Sequence, residues 1–186
     1  ERADDAGLEL FDLTSGARRT ITTNMLNQVA YGPLGMQIAA CELTDIDMDP
    51  FEAVRLWGPD GRLNPHEAPQ CAGSALSWRP DERSLRIVRR YGDVVEWWID
   101  EVRHEVHLAG NTNGARVFSS AFSADGKFVA LARWRGPLQV FALEQSAPVF
   151  ELAGSQPRLV RMAFAPAGDR LAVAADGEYT NFFGGT

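Results

Sequence analysis

Ala121-Phe122-Ser123-Ala124-Asp125-Gly126-Lys127-Phe128-Val129-Ala130-Leu131-Ala132 is the stretch on which the fold turns. Two apolar runs of four to six residues flank a turn, too short and too rich in β-branched or aromatic residues for helices. Asp offers the turn a side-chain cap and Gly offers it a positive φ, so the stretch reads as a β-hairpin. The same design recurs on either side. Val29-Ala30-Tyr31 leads through Gly32-Pro33-Leu34-Gly35 to Met36-Gln37-Ile38-Ala39-Ala40. Leu76-Ser77-Trp78 leads through Pro80-Asp81-Glu82-Arg83 to Leu85-Arg86-Ile87-Val88, and Ala163-Phe164-Ala165 through Pro166-Ala167-Gly168-Asp169 to Leu171-Ala172-Val173-Ala174. The aromatics at 31, 78, 122 and 164 stand 47, 44 and 42 residues apart.

A second aromatic series keeps the same period. It runs through Leu8-Glu9-Leu10-Phe11, Val54-Arg55-Leu56-Trp57, Val95-Glu96-Trp97-Trp98, Leu138-Gln139-Val140-Phe141 and Tyr179-Thr180-Asn181-Phe182, with steps of 46, 41, 43 and 41. A weaker fourth strand follows at Arg18-Arg19-Thr20-Ile21-Thr22, Glu105-Val106-His107-Leu108 and Val149-Phe150-Glu151-Leu152. Its counterpart Arg62-Leu63-Asn64-Pro65-His66 is poor, because Pro cannot donate to a sheet ladder, a defect that an outermost edge strand tolerates. No window of ten or more residues carries helical spacing.

A repeated unit of roughly 42 residues with four short antiparallel strands is the signature of a β-propeller blade. Phe122-Ser123-Ala124-Asp125-Gly126-Lys127-Phe128-Val129-Ala130 resembles the inner strand, turn and second strand of a WD40 repeat, and Val54-Arg55-Leu56-Trp57 and Leu8-Glu9-Leu10-Phe11-Asp12 resemble its third strand. Leu108-Ala109-Gly110 and Leu152-Ala153-Gly154 fall where WD40 repeats carry Leu-x-Gly-His, with Asn111 and Ser155 in place of the histidine. Only Phe11 is followed directly by Asp; Trp57, Trp98 and Phe141 are followed by Gly58, Ile99 and Ala142. Asp93 and Asp176 match the family's turn aspartate. The resemblance implies degenerate WD40-like blades that lean on aromatic packing rather than on the family's buried His-Asp-Trp network. The expected fold is all-β, a propeller of four-stranded antiparallel blades. It comprises a partial blade at 8–22, whole blades at about 28–66, 74–108 and 118–152, and a partial blade at 160–183. Termini that would give five strands to one four-stranded blade lead to the expectation of an excerpt from a larger propeller, with open blade edges prone to self-association.

Composition narrows the function. With 45% hydrophobic and 23% charged residues the chain reads as soluble and cytoplasmic, and nothing resembles a signal peptide or a membrane helix. Eighteen basic against 25 acidic residues give a formal charge of -7, which excludes a globally basic nucleic-acid-binding surface. Cys41 and Cys71 sit in apolar surroundings and read as small buried residues, not as a disulfide framework.

Catalytic constellations are sparse. His104-Glu105-Val106-His107 lacks the His-Glu-x-x-His order, and on a strand residues three apart face opposite ways. Nucleophile-elbow, phosphate-loop and dinucleotide motifs are missing from the sequence. Asp45-Ile46-Asp47-Met48-Asp49 starts like a calcium loop, but Pro50 and Leu56 stand where the turn Gly and the closing Glu belong, so solvated carboxylates are the plainer reading. No catalytic residue, metal or cofactor is expected.

The corresponding loops of the next two units are Arg89-Arg90-Tyr91-Gly92 and Arg133-Trp134-Arg135-Gly136. In the propeller this chain resembles they share a face with the loops carrying Arg116 and Arg158, and that face commonly binds partners. Arg89, Arg90, Tyr91, Arg133, Trp134 and Arg135 are therefore candidate partner-binding residues, a basic-aromatic patch opposite the acidic 42–53 loop. The competing reading turns Trp134 inward and leaves the arginines as ordinary solvated charges. The expected function is a non-catalytic scaffold for protein partners, without nucleic acid or membrane. The alternatives are the propeller portion of a larger hydrolase or signalling enzyme, and a ligand or metal site in the central channel.

Overall fold

Four hairpins of the chain close with one hydrogen-bond pattern. The computed structural model describes residues 7–24, 26–43, 52–66, 70–71, 75–101, 103–108, 115–133, 136–152 and 159–175. In the first turn Gly32 N–H donates to Gln37 O and Gly35 N–H to Gly32 O. The pattern returns at Arg79/Ser84 with Glu82, at Ser123/Phe128 with Gly126, and at Ala165/Arg170 with Gly168. The fourth residue of the motif takes a left-handed φ each time: 74° at Gly35, 68° at Gly126, 74° at Gly168 and 53° at Glu82. Glycine occupies this region without steric cost, and the second hairpin is the exception.

The strands these turns connect are β1 (Leu8–Phe11), β2 (Arg18–Thr22), β3 (Leu26–Tyr31), β4 (Ile38–Leu43), β5 (Glu52–Trp57), β6 (Gln70–Cys71), β7 (Ala75–Trp78) and β8 (Ser84–Val88). They continue with β9 (Val94–Trp98), β10 (Arg103–Leu108), β11 (Val117–Phe122), β12 (Phe128–Arg133), β13 (Leu138–Ala142), β14 (Pro148–Leu152), β15 (Leu159–Phe164) and β16 (Leu171–Ala175). Within each sheet the strands pair in sequence order, giving antiparallel sheets β1-β2, β3-β4-β5-β6, β7-β8-β9-β10, β11-β12-β13-β14 and β15-β16. None of these sheets closes on itself. No helix forms among the described residues, and so none is long and apolar enough to cross a membrane.

The fourth strand of the β3–β6 sheet departs from expectation. The 62–66 stretch makes only an isolated bridge, Leu63 to Trp57, with Asn64 N–H donating to Leu56 O. Pro65 then has no N–H to continue the ladder. Pairing resumes at β6, where Cys71 opposes Glu52 and Gln70 opposes Ala53. A repeat feature that the apolar pattern does not reveal is a register shift near the start of the first strand. It falls between Leu26 and Gln28, between Val117 and Ser119, and between Leu159 and Arg161. The extra residue on that strand is a β-bulge, which bends and twists these three hairpins alike. The expected strand around Tyr179–Phe182 lies outside the described residues.

The chain divides into two compact units, one of residues 1–87 and 96–105, the other of 88–95 and 106–186, and the strands of the β7–β10 sheet are shared out between them. In the first unit the β3–β6 sheet is apolar on both faces, as the unbroken run Ile38-Ala39-Ala40-Cys41 requires. Ile38, Ala40 and Trp57 pack with Leu8, backed by Leu10, Ile21 and Leu26. Ala39, Cys41, Val54 and Leu56 pack on the opposite face against Leu85, Ile87, Trp97 and Ile99, backed by Leu76 and Trp78. The alternation of side chains along a strand divides the two sets. Cys41 is buried and forms no disulfide. The Trp78 indole N–H donates to Ala30 O at 3.1 Å, fixing β7 beside β3.

In the second unit Ala130, Ala132, Leu138 and Val140 form the core with Phe128, Met162, Phe164 and Leu171. Here β11 and β15, the first strands of successive sheets, lie side by side as β3 and β7 do in the first unit.

Candidate interaction site

The loop between β8 and β9 is a tight turn built from the arginine-rich stretch. Arg89 N–H donates to Asp93 O and Gly92 N–H to Arg89 O, each at 2.8 Å, and Gly92 holds a φ of 89°. The Arg89 guanidinium pairs with the Asp93 carboxylate at 3.2 Å. Tyr91, at the apex, is 44% exposed, whereas Arg90 is half-buried. The next segment along the fold joins this turn directly: Val117 N–H donates to Arg90 O at 2.8 Å, which brings exposed Arg116 to the same place.

Arg133, at the end of β12, ties the two segments together. Its Nη1 donates to Tyr91 O at 2.8 Å and to Ala115 O at 3.3 Å. A Cβ on residue 92 would sit 2.8 Å from Arg133 Nη2, so Gly92 serves both the turn and the approach of the guanidinium. Arg133 is only 8% exposed, and its Nε is buried with no acceptor. Burial pushes its guanidinium below the usual arginine range.

Of the six sequence candidates, Arg89, Arg90 and Tyr91 share one loop, and Arg133 reaches it from within. Trp134 and Arg135 lie outside the described residues, as do Arg158 and most of the acidic loop with Asp45, Asp47 and Asp49. Arg133 thus organises the loop cluster by hydrogen bonds to its backbone, whereas the sequence reading gave it a displayed role.

Two further charged arrangements escaped the sequence reading, both in the first unit. Glu82, 4% exposed, accepts from the backbone N–H groups of Leu34 and, at 3.2 Å, Met36, so one hairpin turn caps another. The absence of a Cβ at Gly32 leaves room for that carboxylate. Glu96, 1% exposed, accepts from the Ser84 hydroxyl, Arg79 Nη1 at 3.1 Å and Arg86 Nε at 3.3 Å. Arg79 and Arg103 lie over the Trp98 ring at 5.4 and 5.1 Å, a cation–π arrangement. The clue to Glu82 was in the turns: the other three place glycine where the second has glutamate.

Among the described residues no cluster of three or more His, Cys, Asp or Glu could hold a metal ion. His104, on exposed β10, meets Trp97 as a tilted ring pair at 6.5 Å. No protein-family model matches the chain, and no curated protein shows significant similarity to it.

Proposed function

We propose that this chain is a WD40-like propeller segment serving as a rigid protein-interaction module. The recurring four-strand unit, the shared turn geometry and the bulge found in three of the hairpins support the propeller reading. The observation that carries the functional reading is the Arg133 tie. A buried guanidinium spends its hydrogen bonds fixing the backbones of residues 91 and 115, and the loops so fixed present Tyr91, Arg90 and Arg116. Immobilising a loop before a partner arrives lowers the ordering cost of binding, and arginine and tyrosine are frequent hot-spot residues.

Peptide-display selection against the folded chain tests this reading. Binders should be enriched, and Tyr91→Ala should weaken them roughly tenfold or more while retaining the wild-type melting temperature. A selection that enriches nothing, or binders indifferent to the Tyr91 variant, would overturn it.

A further inference from the structure

Two of the hairpins lay a pair of large apolar side chains onto the sheet before them. Leu76 and Trp78 of β7 pack against the cluster holding Ala39 and Cys41, and the Trp78 indole N–H donates to Ala30 O. Met162 and Phe164 of β15 pack against the cluster holding Ala130 and Ala132. Both receiving surfaces contain an alanine pair in the same register, Ala30 opposite Ala39 and Ala121 opposite Ala130. Opposed residues of an antiparallel ladder share a face, and two methyl groups there leave room for a large side chain from the neighbouring sheet.

One surface of each kind is left over. Val29 and Tyr31 of β3 stand where Leu76 and Trp78 or Met162 and Phe164 stand in their own hairpins, yet they are 51% and 53% exposed. A third alanine pair, Ala163 opposite Ala172, repeats the register of the two filled ones, yet both residues are exposed, as is Ala174 beyond them. Their counterparts Ala39, Cys41, Ala130 and Ala132 are all buried. We propose that Val29 and Tyr31 of one copy of the chain seat on Ala163, Ala172 and Ala174 of a second copy, so that the protein associates head to tail. The fold itself names the occupant. The large pair and the small platform fit each other in two observed seatings, and both recur, still exposed, on this one chain. An unrelated partner would have to reproduce one of these surfaces, whereas every further copy carries both. Because the two surfaces differ, the contact is heterologous and each dimer keeps one of each open, so growth into a ring or a filament follows. The interface goes beyond the interaction-module reading and uses none of the loop residues that Arg133 fixes.

Sedimentation velocity of the whole chain tests the proposal, with Phe150→Lys present throughout to disfavour pairing through the exposed strand β14. Concentration-dependent association should persist in that chain and weaken roughly tenfold or more when Tyr31→Arg or Ala172→Arg is added. Mixing the two variants is the decisive step. A Tyr31→Arg copy keeps its alanine platform and an Ala172→Arg copy keeps its tyrosine. The mixture should therefore form a one-to-one dimer that neither variant forms alone, and grow no further. Both positions are exposed, so melting temperatures should match the parent chain; if an arginine lowers one, Tyr31→Thr and Ala172→Gln repeat the mixing with milder changes. A parent chain that stays monomeric at every concentration, association indifferent to both substitutions, or a mixture that stays monomeric would each overturn the proposal. Failure here leaves the Tyr91 display result untouched, and failure of the display selection leaves this interface untouched.

Discussion

Glu82 holds a φ of 53° where the three equivalent turns use glycine, and it does so with a buried carboxylate that receives two backbone N–H groups. A left-handed conformation costs a non-glycine residue about 1 kcal/mol, while hydrogen bonds to a charged group each contribute about 1.5–3 kcal/mol. The bonds therefore win. Glu82→Ala should destabilise the protein by about 2 kcal/mol, since it keeps the strain and orphans the amides of Leu34 and Met36. Glu82→Gly should cost less, because it relieves the backbone, and urea unfolding of the pair would resolve the difference. Asp125 shows the commoner solution. The Lys127 N–H first, and then the Ser123 hydroxyl, hold its exposed carboxyl below the usual aspartate range. A lowered folded-state value means that its stabilisation is present above the ordinary aspartate pKa of about 3.9 and is lost as pH falls through the folded value. Asp125→Ala should accordingly melt below the wild type at neutral pH, and the gap should close on acidification. A gap that persists in strong acid would show that the carboxylate charge is not its source.

The outermost strands differ sharply in how they meet solvent. β2 presents Arg18 and Arg19 and β10 presents Arg103, His104 and Glu105, whereas β14 exposes Val149 at 50%, Phe150 at 52% and Leu152 at 43%. Charged residues on an edge discourage pairing with another chain, and β14 has only Glu151 in that role, itself engaged by Gln139 at 2.7 Å. Concentration-dependent association through β14 is therefore expected. Phe150→Lys should shift sedimentation toward the monomer at little cost in stability, and an unchanged profile would place association elsewhere. The strands themselves were legible in the sequence, because short alternating runs between Gly, Pro and Asp turns leave few other readings. Two details were not. Leu63 was read as part of a strand, yet Pro65 breaks the ladder and pairing resumes at Gln70–Cys71, a choice set by what β5 still has unpaired. The bulges were hidden because inserting one residue leaves the apolar spacing between hairpins almost intact.

For the molecule as a whole, the formal charge of -7 says little about where an interaction can occur, since the arginines are unevenly placed. Sequence reading found the arginine-aromatic loops because they fall at equivalent points of a repeat. It could not tell which arginine points outward: Arg89, Arg90 and Arg133 look alike in a string, and only the fold gives Arg133 two carbonyls and an interior position. The Glu82 contact carries a consequence of another kind. Repeat arrays grow and rearrange by duplicating or exchanging units, which is harmless when the units are equivalent. Here the acid sits in one hairpin and its receiving amides, with the Gly32 that admits it, sit in the hairpin before. Copying either hairpin alone would leave a carboxylate without its amides or a receiving turn without its acid. The pair thus gives these two units a fixed order of succession, so a recombinant that shuffled them would be handicapped even with every strand intact.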